Sequence, residues 1–365
     1  MNSNSSLSWA LLICTYKREK ILPLCIKFAL LQTPQPIEII IVDASPYWEK
    51  TREAILNEFM DASPDIRWEY SGAEKRGITV QRNQALRSAT ADVVFLIDDD
   101  SLMYPGCAET ILKIYEADSE KRIKGVQPSA ASSPPLDVEI DDEAKVVGAS
   151  DDTPKSKFKL LQTIQGLMWR HIFLMSADQL FIPYYGSFPS HPVPHFDEQQ
   201  PSIFPVKLFQ GFRMTYRRET IEKVEFEPCL LYYASGEDLD ASYRVSLHGA
   251  LVEAPDAQIH HFQSQSGRLK RFQASVFSIL NQAVCLKKNS KNPTKNKIKF
   301  YTLAVRRLFA EFCKDLLSKR FSFPQLRGTL TGLIYSFRVF SISRDQLEVW
   351  YPEFQGQLIE AQKKS

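Results

Sequence analysis

The chain has 365 residues, 44% hydrophobic and 24% charged, which suits one large core or a domain with a sizeable appendage. Six scattered cysteines with no CxxC spacing argue against a zinc site or a disulfide framework and fit a reducing cytosol. The net charge of +2 hides a split: residues 266–365 carry 19 Lys and Arg against 6 Asp and Glu, and the rest carry 26 against 37. An acidic body with a basic final third points to two different partners.

The opening "MNSNSSLSWALLIC" has neither the basic start nor the long apolar run of a signal peptide. No apolar run reaches the roughly 18 residues of a membrane-spanning helix. The expected location is therefore cytoplasmic.

In chain order, "WALLICTY" (9–16) is a short apolar run ending in polar residues, and residues 18–32 carry a helical pattern. "IEIIIVDAS" (37–45) is a β-branched run ending at Asp43. A helix is expected at 47–60, a strand at 66–71, a loop opening into a helix at 77–90, and a strand at 92–97. This alternation predicts an α/β fold with a mainly parallel sheet covered on both faces. In such sheets ligands bind beyond the carboxyl ends of the strands, where Thr15, Asp43 and Asp98–Asp100 fall.

Residues 127–205 differ in texture. They combine a polar, proline-containing stretch (128–154), an amphipathic or buried helical pattern (155–175) and a proline- and aromatic-rich stretch (182–205). They read as an insertion serving as a lid or acceptor element. Strand–turn–helix signals return at 206–224, a helix with an acidic first turn at 235–249, and a strand interrupted by Pro255 at 250–262. Basic helices follow at 268–287, 295–320 and 324–341. The domain plan is 1–126 and 206–265 as the two halves of the α/β domain, 127–205 as the insertion, and 266–365 as the helical basic region.

Asp98, Asp99 and Asp100 end an apolar strand, a hard-oxygen arrangement suited to Mn²⁺ or Mg²⁺. Alone, the triplet is equally an acidic helix cap. Arg76, Arg82 and Asn83 sit at an upstream helix start that can receive an anion, so cations and metal together could neutralise a diphosphate. Glu237 and Asp238 are adjacent acids after a glycine, and one of them can serve as a general base. His260 and His261 point to opposite faces of a strand, so at most one can enter the site.

Taken in order, "CTYKRE" (14–19), "IIIVDAS" (39–45), "RGITVQRNQALRSATADVVFLIDDDSLMYPG" (76–106), "GFRMTYRRETIEKV" (211–224), "GEDLDASYR" (236–244) and a late histidine resemble the inverting family 2 glycosyltransferases of GT-A fold, of the bacterial polysaccharide type. The resemblance covers residues 9–126 and 206–265. It implies a nucleoside-diphosphate sugar donor, with UDP- or dTDP-sugars ahead of GDP-sugars, and a glycan or polyprenyl-linked acceptor. Thr15, Tyr16 and Glu19 would lie near base and ribose, Asp43 would accept from the base imide, and Arg76, Arg82 and Asn83 would flank base and diphosphate. Asp98 and Asp99 would face the nucleotide sugar, and Asp98 and Asp100 would form the DxD metal pair. Asp238 matches the family's base, with Glu237 positioning base or acceptor. His261 matches the late metal ligand slightly better than His260. Ala44 stands where the family often has a second Asp, and the 127–205 insertion is longer than usual.

The basic tail mixes Phe, Leu and Val with Lys and Arg, as in "NKIKFYTLAVRRLFAEFCKDLLSKRF" (296–321). That is the composition of a helix in an anionic membrane interface, here the cytoplasmic face of the inner membrane, or of a helical subdomain packed on the catalytic body. Nucleic acid is not expected as a partner. An inactive GT-A scaffold and a sugar nucleotidyltransferase are the competing readings, although the latter should carry a glycine-rich N-terminal loop that "CTYKREK" lacks.

Overall fold

The computed structural model describes residues 7–135, 176–194, 200–262 and 269–364. The helical pattern at 155–175 and most of the polar stretch at 128–154 lie outside them. The chain divides into two compact units, one of residues 1–149, 189–228 and 240–267, the other of 150–188, 229–239 and 268–365.

The first unit is a three-layer α/β structure. β1 (Trp9–Thr15), β2 (Glu38–Asp43), β3 (Arg67–Gly72) and β4 (Val93–Asp98) pair in parallel, joined by α1 (Leu22–Leu30), α2 (Trp48–Phe59) and α3 (Ile78–Ser88). β5 (Ser101–Met103), α4 (Cys107–Ala117) and β6 (Ile123–Ala131) follow, and β6 runs across the expected 126/127 boundary. α5 (Ala177–Leu180), which belongs to the second unit, precedes β7 (Phe204–Pro205), β8 (Arg213–Arg217), α6 (Arg218–Val224), α7 (Glu237–Ser246), whose first three residues also belong to the second unit, and β9 (Ala250–His261). The sheet order is β3-β2-β1-β4-β8-β6-β9-β5, with β7 on β9.

The period of two in β1, β2 and β4 produces two cores. Trp9, Leu11, Ile13, Ile39, Ile41 and Phe95 pack with residues of α1, α2 and α4. Ala10, Leu12, Ile40, Val42, Val94 and Leu96 pack with α3, α6 and α7. Each such buried aliphatic side chain contributes roughly 1.5–3 kcal/mol of transfer free energy. Burial on both faces explains why these strands read as continuous apolar runs rather than as alternation.

Pro255 does not interrupt β9. The register against β6 jumps from Pro128↔Ala254 to Ser129↔Gln258, a bulge that absorbs the proline while the strand continues to His261. That continuation pairs Ser101 with His261 and carries the histidine back to the end of β4.

In the second unit, α8 (Arg271–Asn289), α9 (Pro293–Leu317), α10 (Pro324–Ser341) and α11 (Arg344–Lys364) form a helical array. The last of these lies beyond the predicted helices. α10 lies close on α8 because Gly332 has no side chain: a Cβ there would stand 2.9 Å from Cβ of Ile279. Asn281 of α8 donates to the carbonyls of Tyr233 and Ser235 and accepts from the Tyr351 hydroxyl. It thereby fixes the loop that leads into α7.

Candidate functional site

Parallel register aligns Thr15 with Asp43 and Cys14 with Asp98 at the carboxyl ends of β1, β2 and β4. Gln81 of α3 ties these ends together, its amide donating to the carbonyls of Thr15 at 3.0 Å and Val42 at 2.9 Å. The three aspartates leave β4 here, and their charges are met individually. Arg82, 2% exposed, donates from Nη2 to Asp98 Oδ1 at 3.3 Å and to the Gly211 carbonyl at 3.0 Å. Arg18 donates to Asp100 Oδ2 at 2.9 Å and stands 3.7 Å from Asp99 Oδ1. The Thr15 hydroxyl donates to Asp99 Oδ2 at 2.6 Å.

His261 completes the cluster. Its Nε2 lies 3.0 Å from Asp100 Oδ1 and 3.7 Å from Asp98 Oδ2, and its ring stacks on Phe212 at 4.5 Å. His260 points elsewhere, with Nδ1 3.1 Å from the Ala131 carbonyl oxygen. Asp98, Asp100 and His261 each offer a ligand atom, all within 4.8 Å of one another. Two carboxylates and one imidazole form a donor set that fits Mn²⁺ or Mg²⁺, and Asp98 keeps 30% of its side chain open.

The electrostatics reflect crowding. Burial pushes the Asp99 carboxyl up to about 7, with Arg18 opposing and the charge of Asp100 reinforcing the rise. Asp98 is also raised, by burial first and by Asp100, while Arg82 and His261 pull it down. Three adjacent carboxylates, two of them largely buried, need nearby cations to stay ionised together.

Other expected residues are placed nearby or differently. Asp43 is buried and accepts from the Tyr70 hydroxyl at 2.8 Å and the Ser45 backbone N–H at 2.7 Å, which leaves further lone pairs on both oxygens. The Arg76 guanidinium lies 3.8 Å from the Tyr16 ring centroid, and Glu19 is exposed. Asn83 spends its amide on the backbone of Phe226, donating and accepting at 2.8 Å, so it clamps α3 to the chain after α6. Glu237 and Asp238 occupy the first turn of α7, where Glu237 is buried and Asp238 Oδ1 accepts from the Leu239 N–H at 2.9 Å. Arg18, Phe212 and Tyr70 were not singled out in the sequence. Arg18 and Phe212 lie inside motifs quoted above, whereas Tyr70 falls in an expected strand with nothing local to mark it.

The fold is an α/β domain of GT-A-like architecture that carries an Asp–Asp–His cluster at its strand ends. A family model described as glycosyl transferase family 2 matches residues 10–140, and over that stretch the chain is similar to that family. A glucosyl-dolichyl phosphate glucuronosyltransferase of Haloferax volcanii is 30% identical over 110 residues, 29% of this chain and 34% of that protein. Among solved structures, GalNAc-T7 with UDP, GalNAc and Mn²⁺ superposes with a TM-score of 0.50 at 13% identity, over 77% of this chain and 48% of that one. S. aureus TarS 1–349 with UDP-GlcNAc gives a TM-score of 0.49 at 13% identity, over 96% and 88%. The chain thus spans about a third of the curated relative and about half of the GalNAc-T7 chain. At such identity the structural likeness is one of fold.

Proposed function

We propose that the chain transfers a sugar from a nucleoside-diphosphate sugar to a hydroxyl of a glycan or lipid-linked glycan, with inversion at the transferred carbon. The observation that carries this reading is the Asp98–Asp100–His261 cluster beside Arg82, at the strand ends of a domain similar to family 2. Asp98, Asp100 and His261 would hold Mn²⁺ or Mg²⁺, which supplies charge neutralisation of the diphosphate leaving group. Arg82 is preorganised by Asp98 and the Gly211 carbonyl, so its cation meets developing negative charge without reorganising. Asp43 and Tyr70 form a rigid acceptor site for the imide of a uracil or thymine base. Asp238 is the proposed base on the acceptor hydroxyl, supported by its motif and its first-turn position, with Glu237 positioning it. The printed name of the Haloferax relative, which refers to glucosyl-dolichyl phosphate, favours an acceptor carried on a lipid phosphate.

Incubation with UDP-, dTDP- and GDP-sugars, with and without Mn²⁺, tests the proposal. Metal-dependent release of UDP or dTDP from one sugar nucleotide supports it. Absence of release from every sugar nucleotide, with a folded protein and a lipid-linked acceptor mixture present, refutes it.

A further inference from the structure

Two helices of the second unit are packed inside out. The buried residues of α10 include Gly328, Thr329, Gly332 and Ser336, while Leu330, Ile334 and Phe337 are exposed, Phe337 by 59%. α9 buries Asn296, Glu311 and Asp315 alongside Phe300, Ala304 and Ala310, and exposes the larger set Ile298, Val305, Phe309, Phe312 and Leu316. The exposed positions recur every three, four or seven residues, so each set forms one stripe along its helix. Phe337 stacks on Tyr301 of α9 at 5.1 Å, so the outward stripe of α10 borders α9. An apolar face of this kind is not left bare without a partner.

Charge identifies the partner. Residues 293–341 contain ten Lys and Arg and two acids, and both acids, Glu311 and Asp315, are buried. Arg307 is turned inward, donating to the Ser278 hydroxyl at 2.8 Å and facing Glu311. The cations that rim the stripes, including Lys295, Arg306, Lys319 and Arg327, therefore have no exposed acids of this segment among them. A second copy would set this positive rim against its like. An anionic headgroup layer complements it, and the aromatic and aliphatic stripes suit the acyl boundary below. Among the described residues no helix is long and apolar enough to cross a membrane, so such a face would lie on the bilayer.

We propose that the α9–α10 face docks the protein on an anionic lipid bilayer, with Phe309 and Phe337 inserted at the interface. The inference does not depend on the transferase reading. The test is flotation of the full chain with phosphatidylcholine vesicles, with or without phosphatidylglycerol. Wild type should float with the anionic vesicles only, and less so as salt rises. Replacing Lys295, Arg306, Lys319 and Arg327 by Glu should weaken binding by at least roughly three orders of magnitude, whereas exchanging Lys for Arg and Arg for Lys at the same four positions should preserve it. F309S, which leaves the Phe337–Tyr301 stack in place, should also weaken binding while the protein stays folded by thermal unfolding and binds nucleotide as wild type does, and F309S with F337S should weaken it further. Wild-type protein that stays with the soluble fraction, or a charge-reversed protein that floats like wild type, overturns the proposal. So does a wild-type dimer in light scattering that F309S/F337S dissociates without any vesicle binding, which would make the face an interface between copies.

Discussion

Arg18 and Arg82 hold together carboxylates that would otherwise repel one another, and each is matched to its own aspartate. Arg18→Ala removes the cation from Asp100 and should destabilise the metal-free protein by roughly 1–3 kcal/mol. Added Mn²⁺ should stabilise this variant more than wild type, because an ion at the cluster restores the missing positive charge; thermal unfolding with and without Mn²⁺ measures the difference. Glu38 makes a separate structural test. It accepts from Arg67 at 3.0 Å and from the hydroxyl and backbone N–H of Thr90. Burial works to raise its pKa, but these bonds outweigh that and hold it below its usual value of 4.5. Because the folded pKa is the lower one, the stabilisation is fully present above pH 4.5 and is lost as pH falls through the folded value. Glu38→Gln should therefore cost roughly 2–4 kcal/mol at neutral pH and progressively less in acid, read from denaturant midpoints. Asp238→Asn retains shape but cannot take a proton, so transfer should fall by roughly two to four orders of magnitude with donor binding intact. Transfer within a few-fold of wild type would make Asp238 only a helix-start acid.

The elements best legible in the sequence were those with the most one-sided chemistry. β1, β2 and β4 are apolar runs ended by polar residues, and the observed strands begin and end within a residue or so of the expected ones. Shorter and less regular features were hidden for physical reasons. β5 has three residues and exists only by pairing with β9, and β9 passes Pro255 by bulging residues 255–257 out of register with β6. The partition between His260 and His261 likewise depends on register, which no local pattern contains. The positive φ of Gly236 and the grip of Asn281 on the Tyr233–Ser235 loop set the start of α7. Asn281→Leu leaves two loop carbonyls and the Tyr351 hydroxyl without that partner. It should cost roughly 2–4 kcal/mol and lower transfer more than donor binding, which parallel activity and calorimetric measurements separate.

At the scale of the whole chain, composition divides the work. The acidic body holds the strand-end cluster, and the basic final third holds the inside-out helices. Composition signalled that contrast but not its form, since a helix that buries Gly, Thr and Ser and exposes Leu, Ile and Phe looks in sequence like any amphipathic helix. The family motifs located the aspartates because strand ends recur in order along the chain, while Arg18 and Phe212 reach the cluster only through the fold. On the function proposed above, Asp98, Asp100 and His261 would hold a divalent ion that joins the protein to a nucleoside diphosphate. Calorimetric titration of wild type and Asp100→Ala with UDP or dTDP, with and without Mn²⁺, tests it most directly. Wild type should bind one of them only when Mn²⁺ is present. The variant, still folded by thermal unfolding, should lose at least roughly 10–100-fold in affinity, the loss that even an outer-shell partner of a metal ligand carries. Equal affinity in the two proteins, or wild-type binding that is the same without Mn²⁺, would contradict the account.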